Sequence, residues 1–125
     1  MTVVSSVFAV LAGLLHVLFF VMESVLFTRP QVYRRFGVAS ASDAAVLRPM
    51  ALNQGYYNLF LAIGAFAAVI LLAGGDETAG RTLVIFSCGC MLAAALVLVV
   101  SNPRMARAAA IQGFAPLVAI VFALV

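Results

Sequence analysis

Four long apolar stretches alternate with short polar ones along the chain. Stretches of 18 or more residues with almost no charge are typical of transmembrane helices. The pattern predicts four such helices, over residues 3–27, 50–73, 82–100 and 108–125. No basic residue precedes the first stretch, and it exceeds the apolar core of a signal peptide, so we expect it in the mature chain. We predict an all-α fold, a polytopic membrane four-helix bundle forming a single transmembrane domain over residues 1–125.

The composition agrees with this class. Of the 125 residues, 66% are hydrophobic and 9% are charged, and the mean hydropathy is +1.24. Soluble domains average about half apolar and about a quarter charged residues. The expected surrounding is therefore a lipid bilayer.

The charged residues lie almost entirely between the predicted helices and indicate an orientation. Residues 28–49 hold four arginines and one aspartate, and residues 101–107 hold two arginines. Residues 74–81 hold one arginine and two acids. Because basic residues collect in cytoplasmic loops, we predict two cytoplasmic loops and both termini outside. This topology explains the net charge of +3, so we expect no nucleic-acid partner. The default location is a plasma membrane of bacterial type.

Several polar side chains interrupt the apolar stretches. His16 is the only histidine and Glu23 the only charged residue within a predicted span; they lie seven residues, two helical turns, apart. With a rise of about 1.5 Å per residue, polar residues of three helices fall in the inner half of the membrane, with His16 nearer the midplane. Ionisable groups in such helices usually face the bundle interior. We predict one internal ligand-binding cluster of His16, Glu23, Asn53, Gln54, Tyr57, Asn58 and Gln112.

Two interpretations of this cluster remain open. The polar groups could line a site open to the cytoplasm, where Glu23 changes its protonation state and the amides orient a ligand. Alternatively, they cross-link helices, and Glu23 extends its carboxylate to the membrane interface or pairs with an arginine of residues 28–49. Catalytic residues are unknown from the sequence, with Glu23 and His16 as candidates. The Cys88-Gly89-Cys90 segment offers too few ligands for a metal site, so we expect buried thiols, no metal and no cofactor.

The chain also resembles a known family. The segments "HVLFFVMES" and "RRFGV", the block "ALNQGYYNLFLAIG" and the late "IQGFAPLVAI" are similar to those of the domain-of-unknown-function 1304 family. That family has a histidine and a glutamate seven apart in the first helix, and an "NQGxYNxFLA" block. The seven residues of the predicted cluster fall on its polar positions. The resemblance implies a four-helix membrane protein and brings no established activity.

The leading functional prediction is a membrane protein that binds a small or lipophilic organic molecule. We expect it to move that molecule with proton linkage at Glu23, and a chain this small would need a second copy, a homodimer, to form a path. The alternatives are a membrane-embedded enzyme that uses Glu23 and His16 as acid and base on a lipophilic substrate, or a structural or accessory membrane subunit.

Overall fold

The computed structural model describes residues 2–125, and its regular elements are all helical. Five α-helices follow one another along the chain: α1 Val3–Phe20, α2 Pro30–Tyr33, α3 Ala41–Ala73, α4 Glu77–Ser101 and α5 Ala106–Leu124. A π-helical segment, Val21–Val25, continues α1, and short 3-10 helices, Arg34–Phe36 and Pro103–Met105, lie before α3 and α5.

Four helices are long and apolar enough to cross a membrane. By length and composition these spans are Val3–Val25, Ala41–Ala73, Glu77–Ser101 and Pro103–Leu124. They confirm the predicted all-α fold class, with the four long apolar helices of a membrane helical bundle. The orientation of the termini stays a prediction.

Helix α3 differs most from the sequence prediction. The predicted start at residue 50 is wrong because Pro49 lies inside the helix, which begins nine residues earlier, at Ala41. The Ser40 hydroxyl accepts a hydrogen bond from the Asp43 backbone N–H at 3.2 Å. This contact satisfies one of the free donors at the helix start. Most of the interval predicted as a long first loop is therefore helical.

The other helix ends lie within a few residues of their predicted positions. Helix α4 begins at Glu77, five residues early, because the Asp76 side chain accepts a hydrogen bond from the Ala79 N–H at 3.1 Å. It ends at Ser101, since Asn102 precedes a proline and is held in an extended conformation. The first span ends at Val25, two residues before the predicted end at residue 27.

The chain divides into two compact units. One runs to Leu15 and resumes at Leu61–Val125, and the other is His16–Phe60. In the first unit the Ser5 hydroxyl donates to the Ala119 carbonyl oxygen at 2.7 Å. Its core consists mostly of small residues, which let helices approach closely: Ala9, Ala12, Ala65, Ala68, Val84, Cys88, Met91, Ala119 and Ala123.

The His16–Phe60 unit has its own small core, built from the interval after the first span. Its buried members are Phe27, Tyr33, Val38, Ala44 and Ala51. Gly37 ends the Arg34–Phe36 turn with φ of 78°, a left-handed conformation that favours glycine. The connection between the first two spans is thus a folded part of this unit. The single-domain organisation stays a prediction.

Candidate functional site

A hydrogen bond between two membrane helices joins two of the predicted site residues. The Asn58 side-chain amide donates to Glu23 Oε1, with 2.5 Å between nitrogen and oxygen, and the bond is partly buried. Glu23 lies near the end of the first span and Asn58 lies in α3. The only charged side chain predicted within a span therefore has a specific polar partner on another helix.

The two helices come together next to this pair, at Ser24 and Gly55. The Ser24 hydroxyl donates to the Leu52 carbonyl oxygen at 2.8 Å. A Cβ atom on Gly55 would overlap the Ser24 hydroxyl and lie 3.0 Å from the Ser24 backbone nitrogen. Gly55 precedes Asn58 by three residues, so both lie on one side of α3. The absence of a side chain at Gly55 thus lets Asn58 reach Glu23.

Sequence reasoning missed Ser24 and Gly55. The available signal was the glycine in the centre of "NQGYYN", three residues before Asn58. A glycine within a membrane helix often marks a close helix–helix contact. The polar residues on either side of Gly55 favoured a binding function for this block, whereas the glycine itself indicates helix packing.

Glu23 lies in the middle of the π-helical segment Val21–Val25. The Leu26 N–H donates to the Val21 carbonyl oxygen, five residues back, at 2.9 Å. This segment ends the first span, and such wide turns occur at the C-termini of helices. The spacing of two α-helical turns between His16 and Glu23 assumed regular α-helical geometry, which does not hold across this segment.

Aromatic side chains surround this part of the unit. The rings of Phe20 and Tyr56 meet edge to face with centroids 5.1 Å apart, and Tyr56 also lies 6.2 Å from the Phe60 ring. The His16 imidazole is 1% exposed and contacts the Phe19 ring edge to face at 5.1 Å. His16 is thus buried, as expected. Tyr56 connects the two helices, although the prediction chose Tyr57.

Three predicted site residues do not face the interior. Asn53, Gln54 and Tyr57 are all exposed, and Tyr57 is 58% exposed. All three lie outside the interior of this unit because Gly55 faces the first helix, and their role in ligand binding stays a prediction. At about 100° per residue, Asn53 and Tyr57, each two residues from Gly55, point to the opposite side of α3.

Because α3 is longer than a bilayer core is thick, these exposed polar residues can lie near the membrane surface. Its 33 residues extend about 50 Å, whereas the hydrocarbon core of a bilayer is about 30 Å thick. The uninterrupted apolar run begins only at Leu59, so the excess length lies at the N-terminal end. Tyrosines are enriched at membrane interfaces, which agrees with Tyr56 and Tyr57 at this boundary.

Gln112 lies in the other unit and bonds to a backbone carbonyl there. Its side-chain amide donates to the Met91 carbonyl oxygen at 3.3 Å. The neighbouring Gly113 packs closely on α4, since a Cβ atom there would lie 3.2 Å from the Ala95 Cβ. Gln112 thus links α4 and α5, as the structural interpretation of the polar residues expects. Its place in the ligand-binding cluster stays a prediction.

Charge pairing does not account for Glu23. Within residues 2–125 no arginine lies within 4.0 Å of its carboxylate, so the predicted alternative of an ion pair with the first loop is wrong. The ion pair that the structure shows joins Arg81 and Glu77 at 3.3 Å, at the exposed start of α4.

Within residues 2–125, no group of three or more His, Cys, Asp or Glu side chains could hold a metal ion. Cys88 is buried, and both it and Cys90 are free thiols.

Two grooves lie in the unit that contains α4 and α5. One, of about 390 Å³, is lined partly by Thr2, Ser6 and Glu77. The other, of about 370 Å³, runs between α4 and α5 and is almost wholly apolar. Neither groove is lined by any of the seven residues of the predicted cluster.

Comparison with known proteins identifies a family. The family model described as a protein of unknown function (DUF1304) matches residues 10–124, nearly the whole chain, and confirms the resemblance seen in the sequence. No curated protein and no solved structure matches the chain.

Proposed function

The chain belongs to the DUF1304 family of proteins of unknown function, and we propose that it is an integral membrane protein that binds a small or lipophilic organic molecule beside Glu23 and Asn58. In this proposal it also transports the molecule, with proton linkage at Glu23. The observation that carries the proposal is the 2.5 Å hydrogen bond from the Asn58 amide to Glu23 Oε1. Ionisable groups within membrane helices are costly and usually functional.

The chemistry of the pair supports a proton-linked switch. An ionised carboxylate only accepts hydrogen bonds, whereas a protonated carboxyl group also donates one. Asn58 can donate to either form through its NH₂ group and can accept through its amide oxygen. Proton uptake by Glu23 therefore changes which groups of a bound molecule the pair can satisfy. A cationic ligand and a proton would compete for the same carboxylate.

The remaining predicted residues have distinct places in this proposal. His16 forms the buried end of the site, whereas Gln112 links α4 and α5 within its own unit. The exposed side chains Asn53, Gln54 and Tyr57, near the membrane boundary, face a second copy of the chain that supplies them with polar partners. The protein is then a homodimer in a bacterial-type plasma membrane, with its arginine-rich loops in the cytoplasm and its termini outside.

The proposal can be tested by transport in reconstituted liposomes. Ethidium is a suitable probe because it is a lipophilic cation that a carboxylate attracts. We expect its movement to follow an imposed pH gradient and to fall to the protein-free rate in Glu23→Gln. The matched control is Glu77→Gln, which removes the exposed carboxylate at the start of α4 and should keep the wild-type rate.

Other outcomes would favour the alternative functions. Gradient-independent conversion of a lipid extract in detergent, lost in both Glu23→Gln and His16→Gln, would indicate the membrane-embedded enzyme. A protein that moves no probe, copurifies with no small molecule by native mass spectrometry and tolerates Glu23→Gln would be a structural or accessory subunit.

A further inference from the structure

The groove between α4 and α5 is apolar along its length and has positively charged side chains at one end. Its floor is made of small buried residues, Ala95, Ala109 and Gly113, and its walls include the larger, exposed side chains of Leu96 and Phe114. The small floor residues leave a space of about 370 Å³. In a membrane, acyl chains could enter such a groove along its length.

Two arginines lie where the groove meets the connection between the two helices. Arg104 is in the short 3-10 helix Pro103–Met105, and Arg107 is in the first turn of α5; both are exposed. Arg107 follows the groove residue Ala106 and precedes Phe114 by seven residues, so it lies on the Phe114 edge of the groove. Within residues 2–125 neither arginine has an ion-pair partner.

The length of the groove agrees with the depth of one lipid leaflet. Its α5 lining extends from Ala106 to Leu117, twelve residues that span about 16 Å of helix. Half of a hydrocarbon core of about 30 Å is about 15 Å. With the arginines at the level of the head groups, the groove would end near the middle of the bilayer.

From this arrangement we propose that the α4–α5 groove is a binding site for an anionic phospholipid. The phosphate of a head group that carries no balancing cation binds Arg104 and Arg107, and one acyl chain lies along the groove over Ala95, Ala109 and Gly113. Charge selects the occupant: arginine presents a fork of donors that matches phosphate oxygens, and basic sites between membrane helices bind anionic head groups. This site is separate from Glu23 and Asn58 and does not depend on their function.

Native mass spectrometry in a neutral detergent tests the proposal. The purified protein is titrated with phosphatidylglycerol and with phosphatidylcholine of the same acyl chains. We expect phosphatidylglycerol to bind more tightly, by about fivefold for each arginine. Arg104→Gln/Arg107→Gln should bring the two lipids to within about twofold of one another. Equal binding of the two lipids by the wild type would overturn the proposal.

A second pair of arginines controls for general attraction. Arg34→Gln/Arg35→Gln removes the same charge from exposed positions before α3 and should keep the preference for phosphatidylglycerol. An equal loss in both double variants would overturn the proposal, because it would indicate attraction to basic loops in general.

Filling the groove tests the position of the acyl chain. Ala110→Phe adds a ring at an exposed lining position and should weaken the binding of both lipids at least fivefold. Ala94→Phe, at an exposed position of α4 outside the groove, should leave binding unchanged. Unaltered binding to a folded, monodisperse Ala110→Phe variant would overturn the proposal. So would full competition by soluble glycerol phosphate, which has no acyl chain.

Discussion

Gly55 lies directly against Ser24, so closely that a single methyl group on the glycine would overlap the serine hydroxyl. This contact sets the spacing of the first helix and α3 beside Glu23 and Asn58. The Ser24 hydroxyl also bonds to the Leu52 carbonyl oxygen at 2.8 Å. The same serine therefore contributes both a packing surface and an interhelical hydrogen bond.

Gly55→Ala is expected to destabilise the protein. The added Cβ would lie 3.0 Å from the Ser24 backbone nitrogen, so backbone must shift, and overpacking of this kind costs about 1–3 kcal/mol. Thermal unfolding in detergent, followed by circular dichroism, measures the effect. Ser24→Ala, which removes the hydrogen bond and relieves no backbone contact, should cost only about 0.6 kcal/mol.

Gly89→Ala is the matched control for this prediction. Apart from its chain neighbours and the adjacent backbone of its own helix, nothing lies within 4 Å of a Cβ at Gly89, which is also in a long helix. The free energy of unfolding of the Gly89→Ala variant should stay the same or rise by up to about 1 kcal/mol, because alanine is the better helix former. Equal stability of Gly55→Ala and Gly89→Ala would mean that the Ser24–Gly55 contact is not tight.

The contact between Gly64 and Ser87 predicts a rescue. A Cβ at Gly64 would overlap the Ser87 hydroxyl but would lie 3.4 Å from the Ser87 Cβ, an ordinary contact. Gly64→Ala alone should therefore lower stability by about 1–3 kcal/mol, and Gly64→Ala/Ser87→Ala should recover most of that loss. A double-mutant cycle of unfolding free energies in detergent measures the coupling. Additive effects would contradict the contact.

The four long helices could be predicted because crossing a bilayer requires long apolar stretches, and no other part of the chain has them. The start of α3 could not be placed by the same reasoning. Pro49 resembles a helix boundary because proline lacks an N–H donor and restricts the residue before it. The structure accommodates Pro49 inside the helix, and the true start signal, Ser40 with Asp43, lies nine residues earlier.

The candidate site was predictable in part. Depth along each helix follows from a constant rise per residue, and it brought Glu23 and Asn58 to similar levels. The side of α3 that packs against the first helix could not be predicted in this way, because a polar stripe on α3 does not identify the packed side. Gly55 decides that side and turns Asn53 and Tyr57 away. The π-helical turn at Glu23 gives no recognisable signal in the sequence.

The predicted orientation can be tested with reporters fused after Val125. Alkaline phosphatase is active only outside the cytoplasm, whereas green fluorescent protein exported through the secretory pathway does not fluoresce. Because the arginine-rich segments should stay in the cytoplasm, we expect an active phosphatase fusion and a dark fluorescent fusion in a bacterial host.

Fusions placed after Arg107 provide the control for orientation. This position follows both arginines of residues 101–107, so both reporters should reverse their behaviour there. A fluorescent fusion at Val125 together with an active phosphatase fusion at Arg107 would show the opposite orientation.

Substitutions of Glu23 and Asn58 should have different effects on transport and on the free energy of unfolding. Glu23→Gln keeps an oxygen that accepts from the Asn58 amide at the same place, so the free energy of unfolding should change little. The proton site is lost, and pH-driven ethidium movement should fall to the protein-free rate. Asn58→Leu removes the donor and leaves a partly buried carboxyl without this partner, which should cost about 0.6–1.7 kcal/mol. The two measurements together distinguish a proton-linked site from an interhelical cross-link, since a cross-link alone predicts the same ethidium movement in Glu23→Gln as in the wild type.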